Sequence, residues 1–234
     1  MELKIHIKKL IAPFIIVLSI LILLHLMALT LLNDQTDTIL VKILKLFHLD
    51  EEANFPTFFS SLLFIISSAL LLFIGKSKSS SEINPKYWIV LSLIFLFLSI
   101  DEIVQLHEKL SNVIHQKFQI GGILRFPWWI IYAVLIIAIS PFFMKLLVQL
   151  PKTIKRIFLL SAVVFISGSI ILEVVGIYIY STENDTKTYT FYIISSIEEI
   201  LEMIGLGIFI YGLLKYLSLT SEKIIITIES DNKV

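Results

Sequence analysis

Two short segments place carboxylates in otherwise apolar parts of the sequence. Ser99 to Lys109 reads S-I-D-E-I-V-Q-L-H-E-K, and Ser196 to Met203 reads S-I-E-E-I-L-E-M. Carboxylates at this density can bind protons, bind cations, or act as general acids and bases. Which of these they do depends on the elements that hold the two segments, and on how close together those elements bring them.

The composition is that of a membrane protein. Hydrophobic residues make up 57% of the chain, charged residues 16%, and the mean hydropathy is +0.91. The apolar residues fall into runs of roughly 20, which span about 30 Å of hydrocarbon as helices. We therefore expect an all-α, polytopic membrane bundle with six transmembrane helices, at residues 10–32, 55–75, 87–110, 126–147, 157–180 and 189–217.

The remaining segments complete one domain over residues 1–217. An amphipathic surface helix is predicted at 38–48, where one apolar face is flanked by lysines, and 218–234 is predicted to be a short cytoplasmic tail. Pro141 should kink the fourth span or end it early. One side of the second span consists of small residues and favours close helix packing. These are Ser60, Ser61, Ser67 and Ser68.

The basic residues predict the orientation. With alternating spans, thirteen Lys and Arg residues lie on the side of both termini and six on the other side. The side with the excess stays in the cytoplasm. We expect cytoplasmic termini in a cell membrane, either a bacterial inner membrane or a plasma membrane. The sequence has no basic stripe that would bind nucleic acid.

This orientation predicts how deep in the membrane the acidic residues lie. Seven of them fall between mid-membrane and the outer surface, on the third, fifth and sixth spans. A charge at the bilayer centre costs at least ~2.5–3.5 kcal/mol. The carboxyls must therefore hold protons, bind a cation or contact water, and each case predicts a polar cavity. The seven are Asp101, Glu102, Glu108, Glu173, Glu198, Glu199 and Glu202.

Helical phase, about 100° per residue, predicts which side chains converge. Each of the three spans has a small or polar face, and we expect the three faces to meet. Glu199 lies beside the third face, and His107 joins the cluster only if its helix frays or bends at the outer end. The faces are Asp101, Gln105 and Glu108; Ala162, Ser169, Glu173 and Gly176; and Ser195, Glu198, Glu202 and Gly205.

A divalent metal ion is the cofactor that this cluster suggests. Oxygen-rich clusters suit Ca²⁺, Mg²⁺ or Mn²⁺ better than Zn²⁺, and the chain has no cysteine. Asp101, Glu198 and Glu202 are the candidate ligands. A helical di-iron site usually needs Glu-x-x-His pairs, which the sequence lacks.

Two histidines have more ordinary interpretations. His25, in the first span, is interpreted as a hydrogen-bonded packing residue. His48 belongs to Phe47–Glu52, which we interpret as a solvated acidic turn, although it could instead cover the mouth of the cavity.

Three short motifs resemble those of an uncharacterised family of bacterial multipass membrane proteins. They are an N-x-P-T helix start at Asn54–Thr57, a D-E…H-E helix end at Asp101–Glu108, and E-E-x-x-E at Glu198–Glu202. The resemblance covers most of the chain. It implies a shared acidic site and brings no activity with it.

Three functions remain open from the sequence. The acidic site could bind a cation or protons for transport or sensing. A metal-dependent membrane enzyme could act on a lipid or amphiphile at the outer leaflet, and a structural or partner-binding protein could use protonated carboxyls as interhelical hydrogen bonds. The expected partners are the lipid bilayer and a small ion or lipid-like ligand, with the oligomeric state open.

Overall fold

The computed structural model describes residues 7–30, 38–77, 83–119, 122–183 and 186–220, and these parts are helical without strands. A 3-10 turn at Gly122–Arg125 precedes α6, and a π-helical segment at Ser167–Leu172 joins α7 to α8. The α-helices are α1 Ile7–Thr30, α2 Ile39–Lys45, α3 Phe55–Lys76, α4 Pro85–Val104, α5 Leu106–Phe118, α6 Trp128–Gln149, α7 Lys152–Ile166, α8 Glu173–Thr182 and α9 Tyr189–Thr220.

Five helical stretches of the described chain are long and apolar enough to cross a membrane. At 1.5 Å per residue, about 20 residues span the hydrocarbon core. Large apolar side chains cover their outer surfaces, as at Ile137 (71% exposed) on α6. The chain is therefore a multi-pass helical membrane protein. The stretches are Ile11–Thr30, Phe55–Lys76, Pro85–Val104, Trp128–Gln149 and Lys152–Thr182.

Small polar residues pack α3 tightly against α4. Ser61 Oγ donates to the Ser99 carbonyl (3.1 Å), and Ser68 Oγ donates to that of Ser92 (2.8 Å). Each serine satisfies its own hydroxyl while its small size lets the two backbones approach. The predicted close packing along the serine side of the second span is thus confirmed.

The third span is not one helix to residue 110, and the segment after it is not a simple loop. Helix α4 ends at Val104, Gln105 has a left-handed backbone with φ 58°, and α5 begins at Leu106. The Asp101 carboxylate accepts the backbone N–H of His107 (3.0 Å), which satisfies a donor at the start of α5. This interaction fixes the break that the apolar pattern could not reveal.

Other boundaries also differ from the predictions. Helix α6 continues through Pro141, so of the two predicted effects the early end is wrong and the kink stays a prediction. The fifth run begins at Lys152, and its π-helical segment changes the helical phase before Glu173. Ala162 is exposed whereas Glu173 lines the cavity, so the two residues do not share the predicted face. The surface helix is shorter than 38–48, and the sixth run continues to Thr220. The end of the first run and the tail beyond 220 lie outside the described residues.

Close packing of α7 against α9 depends on Gly205. Ser161 Oγ donates to the Gly205 carbonyl (2.8 Å), and a Cβ at Gly205 would lie 2.8–2.9 Å from the Cα, N and Cβ atoms of Phe165. Gly205→Ala should therefore lower the free energy of unfolding by about 1–3 kcal/mol, because the Phe165 backbone must move. Thermal unfolding in detergent measures this change. Gly176→Ala is the control, since its Cβ would meet atoms no nearer than 3.8 Å and should change stability little. Equal effects of the two variants would contradict the prediction.

Candidate functional site

A cavity of about 630 Å³ lies between α4, α6, α9 and the α7–α8 segment. At one end, which we call the carboxylate end, nine acidic side chains of the described residues line it, beside two basic ones, His107 and Lys187. The acidic residues are Asp50, Glu52, Asp101, Glu102, Glu108, Glu173, Glu198, Glu199 and Glu202.

Asp101 is the best-satisfied carboxylate of the cavity and is only 5% exposed. Besides the backbone N–H of His107, it accepts hydrogen bonds from His107 Nδ1 (3.0 Å) and the Tyr132 hydroxyl (2.7 Å). Burial alone would lower the pKa of His107, but the Asp101 hydrogen bond and the surrounding negative charges raise it. Asp101 therefore joins α4, α5 and α6 and favours the protonated form of His107.

Glu173 of α8 and Glu198 of α9 lie next to each other at the carboxylate end. Trp128 Nε1 donates to Glu173 Oε1 (3.0 Å). Two carboxylates this close repel each other unless a proton or a cation lies between them.

Glu102, Glu199 and Glu202 have no hydrogen-bond donor among the described side chains and backbone groups. Protein encloses them on every side except the cavity, and their charged neighbours are mainly other acids. Such groups are costly unless a proton, water or a bound cation satisfies them.

The connector between α2 and α3 closes the carboxylate end. Lys187, before α9, forms a 2.6 Å salt bridge with Asp50 of the connector. Burial raises the pKa of Asp50, whereas the charge of Lys187 opposes this rise. Burial, with the nearby Glu108 carboxylate, raises the pKa of Glu52 to about 7.

Asn54 holds this connector in place and explains the N-x-P-T pattern. Its Nδ2 group donates to the carbonyls of His48 (2.6 Å) and Glu51 (2.5 Å), while its Oδ1 accepts the N–H of Thr57 (3.0 Å). One side chain therefore caps α3 and ties down the preceding turn. The motif is a structural support for the site and does not line it.

His25 and His48 pack together beneath the connector. His25 Nδ1 accepts the N–H of Leu49 (3.1 Å), so the neutral ring carries its proton on Nε2 and donates to Ser196 Oγ (2.6 Å). The predicted packing role of His25 is confirmed. His48 is only 2% exposed and contacts His25 and Tyr192, so a solvated turn is wrong for this residue. Burial lowers the pKa of His48.

The structure brings ten of the eleven sequence-predicted site residues to one cavity. The exception is Gln105, which forms the helix break, so Asp101, Gln105 and Glu108 do not share one helical face. His107 reaches the cavity because of this break, as the sequence analysis anticipated for a bent helix. The ten are Asp101, Glu102, His107, Glu108, Ser169, Glu173, Ser195, Glu198, Glu199 and Glu202.

Seven polar residues of the cavity were not among the predicted site residues: Asp50, Glu52, Trp128, Tyr132, Ser140, Tyr180 and Lys187. The spacing of four residues between Trp128 and Tyr132 places both on one face of α6, and this signal could have predicted that they line the same site. Asp50, Glu52 and Lys187 lie in connectors. The sequence analysis allowed that Phe47–Glu52 covers the mouth of the cavity, but it carried no signal that Lys187 meets this segment.

Within the described ranges, no group of three or more His, Cys, Asp or Glu residues is arranged so that it could hold a metal ion. A metal site at Asp101, Glu198 and Glu202 therefore stays a prediction.

Beyond the carboxylate end, the cavity continues as an apolar trough along α6. Apart from Ser140, its lining is apolar. The lining residues of α6 recur every three or four positions, as expected for one helical face. We define the trough by Ile94, Phe97 and Leu98 of α4, Leu135, Ile136, Ile139, Phe143, Met144 and Leu147 of α6, and Phe165 and Ile170 opposite them.

The fold and the site define a multi-pass helical membrane protein with a carboxylate-lined cavity. The chain belongs to the family described as a domain of unknown function (DUF8692), which matches residues 14–217. No curated protein and no solved structure matches it. The resemblance to an uncharacterised family is confirmed, and this family assigns no activity.

Proposed function

We propose that the protein crosses the membrane six times, with both termini in the cytoplasm, and binds protons or a cation at a carboxylate site that faces the outside. Helix α9, with 32 residues, is the sixth span in this topology. The excess of thirteen basic residues over six on the side of the termini supports the orientation. In this orientation the carboxylate end would face the outer surface of the cell membrane.

The observation that carries this proposal is the imbalance of charge around one cavity. Nine carboxyl groups of the described chain face it, whereas His107 and Lys187 are engaged by Asp101 and Asp50. The seven carboxyl groups without a basic partner cannot all remain ionised so close together in a low-dielectric interior. Protons or a cation in the cavity would supply the missing positive charge, which water alone does not.

Protons are the first candidate. A proton shared between the adjacent Glu173 and Glu198 carboxyl groups would relieve their repulsion, and proton binding does not require a preassembled ligand shell. A divalent cation held by Asp101, Glu198 and Glu202 is the second candidate, since carboxylate oxygens suit hard cations.

Sensing or exchange with the outside fits the cavity better than conduction through the membrane. Beyond the carboxylate end, the cavity continues only as the apolar trough. Ser140 is the one polar residue that we identify in the lining of the trough. A conducting path would need polar groups along its length to replace the water around an ion.

Infrared difference spectroscopy of the protein in lipid nanodiscs between pH 8 and pH 5 tests proton binding. We expect a band of protonated carboxyl groups to grow on acidification, and Glu198→Gln and Glu202→Gln to remove part of it. Glu183→Gln is the matched control, because Glu183 is exposed and outside the cavity.

A second measurement tests whether the cavity binds a divalent cation. The metal content of the same samples is determined after incubation with Ca²⁺, Mg²⁺, Mn²⁺ or Zn²⁺. A stoichiometric metal that is lost in Glu198→Gln and Glu202→Gln would favour a cation over protons. If the cavity variants matched wild type in both measurements, the proposed function would be wrong.

A further inference from the structure

The cavity is much larger than a proton or a single metal ion requires. Its volume of about 630 Å³ falls within the roughly 300–1,000 Å³ of sites for organic ligands. Such sites combine mainly apolar walls with a few polar groups that orient the ligand, and this cavity has that division.

We propose that the cavity binds a single-chain amphiphilic amine, with its protonated amino group at the carboxylate end and its hydrocarbon chain in the apolar trough. This inference rests on the proposed function, because it identifies the positive charge that the carboxylates bind.

The carboxylate end is suited to an ammonium group. Glu102, Glu199 and Glu202 face the cavity without protein donors, and an ammonium group brings three N–H donors with its charge. An aromatic wall lies beside them, where the ring of Trp128 is 5.4 Å from that of Tyr132. Aromatic faces also attract cations.

The same charges reject other head groups. A phosphate or carboxylate head would face nine acidic side chains, while Lys187 and His107 are held by Asp50 and Asp101. Like charges in a cavity of low dielectric repel strongly. The occupant therefore differs from an ordinary phospholipid or a fatty acid.

The apolar trough is suited to a hydrocarbon chain. From Tyr132 to Leu147 it follows α6 for about 22 Å at 1.5 Å per residue. Leu146 is the one residue of α6 that is fully buried in the described structure, so protein packs only lightly against this helix. A chain lying in the trough would fill space between α6 and α4 that side chains leave open.

Calorimetric titration of the protein in phosphatidylcholine nanodiscs tests the inference with dodecylamine as the probe. Dodecanol and dodecanoate have the same chain and serve as matched ligands, and empty nanodiscs report partitioning into lipid. We expect saturable binding of one dodecylamine per protein, at least tenfold tighter than binding of either matched ligand.

Two kinds of variant separate the head group from the chain. Glu199→Gln combined with Glu202→Gln should weaken dodecylamine binding at least tenfold. Ile139→Trp should block the trough and weaken binding similarly, whereas Val134→Trp, at a 59% exposed position of the same helix, should not. Unfolding curves verify that each variant is folded.

The outcomes distinguish this inference from the proposed function. Equal binding of amine, alcohol and carboxylate, or binding equal to that of empty nanodiscs, would show ordinary partitioning of an additive and overturn the inference. Absence of dodecylamine binding, while the carboxyl band still responds to pH, would overturn the inference alone. Loss of both signals would overturn both.

Discussion

Asp101→Asn is expected to lower the free energy of unfolding by about 3–5 kcal/mol, the usual cost of removing one partner from a buried charged pair. The asparagine oxygen can still accept one hydrogen bond. Its amide NH₂ group would face Tyr132 and His107, which both donate in the native protein. Two donors would lose their acceptor, and the start of α5 would lose support. Chemical unfolding in detergent measures the change.

Two other variants make this prediction specific. Tyr132→Phe removes one donor and leaves the carboxylate and His107 in place, so its cost should be about 1–2 kcal/mol. Glu108→Gln changes an exposed carboxylate on α5 and should change stability little. If Asp101→Asn cost no more than Glu108→Gln, Asp101 would not join the three helices as the structure indicates. The His107 pKa, followed by NMR, should also fall in Asp101→Asn, because the neighbouring negative charge is removed.

The helical class and most of the site were predictable because both depend on simple periodicities. Long apolar runs identify the membrane helices, and the spacing of Ser195, Glu198 and Glu202 places them on one face of α9, where the structure shows them lining the cavity. Acidic residues within apolar runs have few ways to be satisfied except by facing a common cavity. This constraint is strong enough to bring ten predicted residues together.

The features that sequence analysis missed depend on contacts between distant residues or on local competition. The Asp50–Lys187 salt bridge joins residues 137 positions apart, and no periodicity in the sequence predicts it. The helix break at Gln105 arises because the Asp101 side chain offers the backbone a competing acceptor. The π-helical segment changes the helical phase between Ala162 and Glu173, inside an unbroken apolar run. A constant 100° per residue therefore placed Ala162 on the face of Glu173, although Ala162 is exposed.

These missed features share a consequence for the site. The connector, the helix break and the π-helical segment each move side chains towards the cavity: Glu52, His107 and Glu173 respectively. Irregular backbone of this kind is maintained in membrane proteins where it lines a cavity. The deviations from regular helices therefore lie where the carboxylates gather.

Glu52 should make the protein less stable as the pH rises from about 4.5 to about 7. Its pKa is raised from 4.5 to about 7 by burial and by the Glu108 carboxylate. The folded protein therefore binds this proton more tightly than the unfolded chain, and the resulting stabilisation is fully present below pH 4.5. It is lost as the pH rises through the folded pKa. At 1.36 kcal/mol per pKa unit, the loss is at most roughly 3 kcal/mol.

Glu52→Gln isolates this contribution, since glutamine is close to the protonated acid in shape and does not titrate. The difference in unfolding free energy between wild type and Glu52→Gln should grow by about 2–3 kcal/mol between pH 4.5 and pH 7.5 in favour of the variant. Glu51→Gln is the matched control, because Glu51 is the exposed neighbour and should leave the pH profile unchanged. Parallel profiles for wild type and Glu52→Gln would mean that the connector does not enclose Glu52. A diverging profile for Glu52→Gln alone would show that the connector closes the cavity tightly enough to hold a proton at neutral pH.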